Sequence, residues 1–340
     1  MHYLKKTRWL WLVIAGVLSL GAAQAASAPS VKIAIGGRSF IAYLPLTIAE
    51  QRGYFKAAGL DETSIDFKGG SKALQAVVGG SADVVMGYYD HTIEMQAKGK
   101  NLKAIVEVDR YPGIVLAVRS DLNPPVKTVA QLKGHTVGVT APGSSTNFFL
   151  NYLLVKAGVK PSQVSVIGVG AAATAVAAIE HKQIDALVNL DPAITLLKKR
   201  GDINILVDTR TQKDTQQVFG GPYPAATFYA PQSYIDAHPQ VAQKLVDAMI
   251  RTLKWMHGKS PKQIMKYVPK DYYAGSGKAL YAKMLKDSME MFSPTGKFEP
   301  QGPKNALKVL SLSDPEVAHA NVDLSKTFTN HFVDQSPASD

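Results

Sequence analysis

Short Val/Ile-rich runs alternate with helical stretches along most of the chain, and this alternation limits the fold more than any other feature. From residue 31 the order is VKIAIG, YLPLTIAEQRGYF, SIDF, SKALQAVVGG and ADVVMG. After NPP it resumes with HTVGVT, NFFLNYLLVKAG, VSVIGV, ATAVAAIEHKQ, DALVNL, AITLLKKRG and INILVD. Strands separated by helices need crossover connections, so the pattern predicts βαβ units and mostly parallel sheets. Two α/β units, each with its own sheet, are expected. The breaks fall near 119–127 (RSDLNPPVK) and 219–227 (FGGPYPAAT), where Pro and Gly interrupt the pattern. Beyond Pro231 helices dominate. Pro239 suits a first helical turn, and Val241, Leu245, Met249, Leu253 and Met256 recur at spacings of four and three, a stripe that faces a core.

Residues 1–25 read as a cleavable signal peptide: Lys5, Lys6 and Arg8 precede an apolar run from Trp9 to Leu20, and Ala23-Gln24-Ala25 follows. The run falls short of the roughly 20 residues of a membrane span. A mature chain that starts at Ala26 and is free in the periplasm is expected. The sequence holds no cysteine, which rules out disulfides, a thiol nucleophile, a Cys-ligated metal and a lipid-modified cysteine anchor. Without the three leader cations the formal charge of +11 becomes +8, carried by scattered Lys and Arg. With export, that argues against a nucleic-acid partner and for attraction of a small anion or plain solubility. The 315 residues after the leader suit two domains. GSGKA lacks the flanking Gly and Ser/Thr of a phosphate-binding loop, G-x-S-x-G and H-E-x-x-H are missing, and the eight histidines are dispersed. No catalytic residue, no metal and no cofactor are expected, and the chain is not read as an enzyme.

HTVGVT runs into APGSSTNFFL, which sets Gly143, Ser144, Ser145 and Thr146 at the mouth of an apolar helix. Two readings fit. Ser and Thr are good N-caps; a helix N-terminus is also a seat for an anion or carbonyl oxygen. The first half echoes the arrangement, with SIDF running into Gly69, Gly70 and Ser71 before a helix. Ligands of open α/β sheets bind outside the carboxyl ends of the strands, where both turns fall, so two such turns face to face would form a cleft.

SFIAYLPLTIAEQRGYFKAAGLD (39–61), FKGGSKALQAVVGGSADVVMG (67–87), TVAQLKGHTVGVTAPGSS (128–145) and AAIEHKQIDALVNLDPAI (177–194) resemble the nitrate, sulfonate and taurine solute-binding proteins of ABC importers. The likeness spans nearly all of the chain after the leader. It implies an α/β, two-lobe periplasmic binding protein fold (type II), each lobe a mostly parallel sheet flanked by helices, with two crossing strands between them. Lobe I would hold residues 30–118 and 226–340, and lobe II residues 119–225. The implied role is to capture a small molecule between closing lobes, as a monomer, and deliver it to an ABC permease in the inner membrane; presentation to a sensor receptor stays open.

Carried over position by position, the resemblance assigns ligand contacts to Ser39 and Phe40, to Gly70 and Ser71, and to Gly87, Tyr88 and Tyr89. It adds Ser144, Ser145 and Thr146, then Asn189 and Asp191. Many relatives carry an aromatic residue before Glu-Pro where this chain has Leu190-Asp191-Pro192, which puts the family's commonest ligand in question. Phe40, Tyr43, Tyr88, Tyr89 and Tyr223 supply rings that suit a planar ligand, although each equally suits a core. Arg38, after the first strand, is the expected bidentate partner of a carboxylate or sulfonate; Arg110 reads rather as a surface ion-pair partner. His91, beside Asp90, is expected to cap or pack. A sulfonate such as taurine, an aromatic carboxylate, nitrate, and a neutral planar heterocycle such as a thiamine pyrimidine precursor all remain open as ligands. An enzyme on this fold, of the thiamine-pyrimidine synthase type, is disfavoured by the missing cysteine motif and by export.

Overall fold

The computed structural model describes residues 28–337; the expected signal peptide and its cleavage site lie outside them. Ten strands follow in chain order: β1 (Ser30–Ile35), β2 (Asp61–Asp66), β3 (Val84–Tyr88), β4 (Leu102–Glu107), β5 (Val115–Arg119), β6 (Thr136–Val139), β7 (Ser165–Gly168), β8 (Ala186–Asn189), β9 (Ile203–Asp208) and β10 (Ala226–Pro231). They form two five-stranded sheets, ordered β2-β1-β3-β10-β4 and β7-β6-β8-β5-β9. In each sheet the first three strands run parallel and the fourth runs antiparallel to both neighbours. Parallel strands covered by helices on both faces read as continuous apolar runs; all five residues of β3 are buried.

The two antiparallel strands are the exchange points of the chain. After β4 the chain crosses through residues 108–114 and enters the second sheet as β5; after β9 it returns through 209–225 and re-enters the first sheet as β10. The sequence-based boundary at 119 therefore falls one strand late: β5, assigned above to lobe I, pairs with β8 and β9 of the second sheet. The proline-rich stretch that suggested the break, with Pro124 and Pro125, is the connection that follows β5, not the crossing itself.

Behind the first sheet the helix Pro239–His257 begins on proline at its first turn. Its stripe of Val241, Leu245, Met249, Leu253 and Met256 is buried throughout, as the three-four spacing requires. No helix among the described residues is long and apolar enough to cross a membrane.

Candidate ligand-binding site

The parallel strands of both sheets aim their carboxyl ends at one junction. β1 leads to Gly36, β2 leads to Gly69 and Gly70, and β3 ends at Tyr88. From the other sheet β6 leads to Thr140 and Ser144, and β8 to Leu190. A small cavity of about 20 Å³, room for one water-sized guest, lies among them. Gly36, Phe40, Tyr43, Gly70 and Tyr88 line it on one side, Thr140, Ser144, Ser145, Thr146 and Leu190 on the other, with Ile114 of the crossing segment between.

Glycine makes the close approach possible on the first side. A Cβ on Gly36 would lie 2.4 Å from the carbonyl carbon of Gly69 and the nitrogen of Gly70, so the turns after β1 and β2 touch through bare backbone. Gly69, at φ +149°, lies against the other sheet: a Cβ there would meet Ala141 Cβ at 2.8 Å.

Two helices present their N-termini to this junction, Gly70–Val78 and Ser145–Lys156. Ser144 is the N-cap residue of the second, extended at φ −84° and ψ 165°, but its hydroxyl makes no capping bond. It crosses to the other side instead. Ser71 N–H donates to Ser144 Oγ at 3.0 Å, Ser144 Oγ donates to Ser71 Oγ at 3.2 Å, and Ser71 Oγ donates to the Pro142 carbonyl at 2.9 Å. Ser145 Oγ donates to Asp90 Oδ1 at 2.7 Å, a fourth crossing bond. Thr146 Oγ1 stays local, accepting from Thr140 N–H at 3.1 Å and sharing a proton with Thr140 Oγ1 at 2.8 Å. The N–H groups of Ser145 and Thr146 open the helix and have no intrahelical acceptor, so they offer the cavity donors at a positive dipole end.

The aromatic wall comes from the first side. Tyr43 and Tyr88 meet edge to face with ring centroids 6.1 Å apart, and Phe40 lies 6.3 Å from Tyr43. Tyr88 OH donates to the Pro112 carbonyl at 2.5 Å, which ties the ring to the crossing segment. Burial, with carboxylates nearby, holds the hydroxyls of Tyr43 and Tyr88 in the neutral form well above the usual tyrosine range.

Of the residues expected at the site, Phe40, Tyr43, Gly70, Tyr88, Ser144, Ser145 and Thr146 line the cavity, and Ser71 adjoins it through its bonds to Ser144. The others do not. Arg38 turns back over its own lobe: its guanidinium pairs with Glu50 and its Nε donates to Tyr272 OH at 3.2 Å, off the cavity wall. Ser39 is half-buried and off the cavity wall. Gly87 is small because the Tyr229 ring covers it, within 3.1 Å of where a Cβ would stand. Tyr89 points away from the cleft, fully buried, its OH 2.5 Å from Thr327 Oγ1 and its ring against Phe298. Asn189 is a brace, with Nδ2 donating to the Gly170 carbonyl at 3.0 Å. Asp191 accepts from Thr195 N–H and from Arg210, in a separate outer groove. Tyr223 stacks on Phe219 at 4.4 Å and sends its OH toward Asp90 Oδ2 at 3.4 Å.

The residue types alone did not mark Gly36, Ile114 or Thr140 as lining, nor Asp90 as a site residue. Asp90 is 2% exposed, held by Ser145 and Tyr223, and burial raises its carboxyl above the usual range. His91 packs, as expected. It is fully buried, its Nδ1 is 3.3 Å from Glu94 Oε2, and its ring meets Phe148 of the opposite side at 5.4 Å. Burial works against its charge, but Glu94 and Asp90 more than offset this and raise its pKa. No Lys or Arg lines the cavity, and no cluster of three metal-binding side chains occurs among the described residues.

Comparison with known proteins agrees with the fold. A solved structure from Bordetella bronchiseptica RB50 is 48% identical and superposes with a TM-score of 0.87, covering 90% of this chain and 96% of its own. The alkanesulfonate-binding protein SsuA of Xanthomonas axonopodis pv. citri, 20% identical, shares the fold at a TM-score of 0.67 over 90% of this chain and 99% of its own. YtlA of Bacillus subtilis (strain 168), named only as a candidate binding protein, is 25% identical over 76% of this chain and 77% of its own. The NMT1/THI5-like family description matches residues 41–264, and with two sheets exchanging strands around one cleft the chain belongs to that family, as a binding protein of the ABC-importer type.

Proposed function

We propose that the protein is the periplasmic substrate-binding component of an ABC importer and captures a small organic solute with an oxyanion end between two closing lobes. The observation that carries this reading is the pair of helix N-termini facing one another across the sheet junction, joined by Ser71 and Ser144. Free N–H groups at a dipole end suit a sulfonate or carboxylate oxygen without a cationic side chain. The SsuA relative was solved bound to MOPS, a sulfonic acid, and the Phe40, Tyr43 and Tyr88 rings supply a wall for an apolar or aromatic body. One observation favours a second reading. With no Lys or Arg on the wall, a neutral planar heterocycle could use the same N–H groups and rings. A cavity of about 20 Å³ admits neither ligand until the lobes part, so capture and closure are one event.

A thermal-shift panel of alkanesulfonates, aromatic carboxylates, nitrate and aminopyrimidines tests the reading. A ligand at 100 times its Kd adds about 2.7 kcal/mol to stability, enough to raise Tm by several degrees. Arg38→Ala should keep the response, since its guanidinium is committed to Glu50 and Tyr272. A panel that moves Tm nowhere, or a response lost with Arg38, overturns the proposal.

A further inference from the structure

The net positive charge of the chain is gathered on one stretch of lobe I. Residues 251–286 hold nine Lys and Arg and one acid, Asp271, whereas the rest of the chain after the leader carries 26 residues of each sign and sums to zero. Spaced three to eight residues apart, these cations read as scattered along the sequence. Eight of the nine are exposed, however, and among the described residues only Lys283 has an acidic partner, Asp287. The fold adds a structured centre. Arg52, which closes helix Leu44–Gln51, places its guanidinium carbon 4.2 Å from the Trp255 ring centroid and 5.0 Å from those of Tyr267 and Tyr54. Arg251 covers Tyr54 at 4.4 Å, and Trp255 and Tyr267 meet edge to face at 5.3 Å. Arg52 Nε donates to Tyr54 OH at 2.5 Å, and its terminal nitrogens have no acceptor among the described residues. Stacking fixes the planar group and leaves its forked edge free, so a phosphate can be met bidentately at little further entropy cost. Lys254 and Lys266 adjoin the two rings along the chain, and none of these residues lines the cavity.

We infer that this face of lobe I binds an anionic phospholipid surface, with Arg52 and Arg251 on headgroup phosphates and the lysines in the field around them. Half-buried Trp255 and Tyr267 between cations suit the boundary layer of a bilayer, where a ring has one apolar and one wet end. A field of one sign, carried on long flexible lysines, suits a fluid array of phosphates. A protein partner would instead be held in register by fixed charges matched one to one. No large apolar side chain of the stretch is exposed, so the association is electrostatic and reversible, without insertion. This rests on the periplasmic placement proposed above and holds whichever solute the cavity takes. A binding protein held at the membrane surface searches for its permease in two dimensions rather than three.

The test is co-sedimentation of the full mature chain, without solute, with vesicles of phosphatidylcholine alone or with about one third phosphatidylglycerol. The anionic vesicles should bind it at least about tenfold more tightly, and the advantage should vanish between roughly 0.05 and 0.5 M salt as the Debye length shrinks. Lys262→Glu with Lys266→Glu, both exposed, should abolish the difference. Lys304→Glu with Lys308→Glu, also exposed but on helix Gln301–Ser313, makes the same change of charge elsewhere and should keep it. Arg52→Lys retains the charge but loses the stacked fork, and should weaken binding by about threefold or more. Equal binding to the two vesicles, an equal loss in the two lysine pairs, or full binding by Arg52→Lys overturns the assignment. So does a chain that ignores anionic lipid but binds neutral vesicles bearing the permease, which would make this face a dock for acidic protein. Solute capture is judged separately by the thermal-shift panel, since no residue of the face lines the cavity.

Discussion

Ser144→Ala separates a capping serine from a bridging one. The Ser144 hydroxyl makes two bonds to the opposite lobe, accepting from Ser71 N–H at 3.0 Å and donating to Ser71 Oγ at 3.2 Å, and no bond to its own helix. At a net 0.5–1.5 kcal/mol for each hydrogen bond, the closed arrangement loses about 1–3 kcal/mol relative to an open one in which water satisfies the same groups. The closed-to-open ratio should then fall by roughly 5- to 150-fold, since each 1.4 kcal/mol is a factor of ten. Small-angle scattering, or energy transfer between dyes on the two lobes, reads the shift as a larger mean separation, and ligand affinity should drop with it. Ser71→Ala keeps the N–H donor but loses two crossing bonds, the one from Ser144 and the one to the Pro142 carbonyl, and should cost about as much. Added to Ser144→Ala it should cost only its bond to the Pro142 carbonyl at 2.9 Å, so the two changes are not additive. A pure cap behaves otherwise: losing it lowers Tm by the equivalent of about 1 kcal/mol and leaves the lobe separation alone. That second pattern would refute the bridging role.

Two glycines a short distance apart should fail in different ways. Gly36→Ala drives a Cβ into backbone of its own lobe at 2.4 Å and should lower Tm sharply or prevent folding. Gly69→Ala meets Ala141 of the other lobe at 2.8 Å and is strained at φ +149°, so besides some loss of Tm it should cost affinity and compaction on binding; normal compaction in a folded Gly69→Ala variant would contradict the placement of this turn. Glu107 is 7% exposed, and burial, against the opposing pull of Arg110, pushes its carboxyl up to about 8. Between its ordinary value near 4.5 and about 8 the folded chain keeps a proton that the unfolded chain releases. Stability therefore falls as pH rises through that window, by about 1.4 kcal/mol for each pH unit, and the full contribution is present only below it. Glu107→Gln should flatten the Tm profile between pH 5 and 8, and an unchanged slope would assign the pH dependence to other groups.

What the sequence made legible is what short-range chemistry controls. The period of the apolar runs fixed strands and helices, and glycine followed by serine after β2 and β6 marked the two helix mouths, because those features depend on a few neighbouring residues. The employment of each side chain was hidden, since it depends on partners far along the chain. Tyr88 closes β3 and Tyr89 caps the helix Asp90–Ala97, and nothing local says which ring faces the cleft; Phe298 and Thr327, from the C-terminal segment, claim Tyr89. Arg38 stands at the expected strand end, but Glu50 and Tyr272 of its own lobe bind the guanidinium. The boundary at 119 failed for a related reason. Proline marks where a chain turns, whereas an exchange of strands between sheets is decided by which edge β5 pairs with.

The opening choice for Ser144 and Ser145, cap or ligand seat, lacked the answer that the fold supplies, a bond from lobe to lobe. That answer needs Ser71 and Asp90 in place, 73 and 55 residues away, and it changes what the hydroxyls can do for a ligand. A hydroxyl whose proton is already given to Ser71 or Asp90 can bond a ligand only as an acceptor, unless the ligand first takes over the partner. Recognition and closure therefore compete for the same protons, so a ligand oxygen that takes the Ser144 proton must at least replace the bond to Ser71 that it displaces.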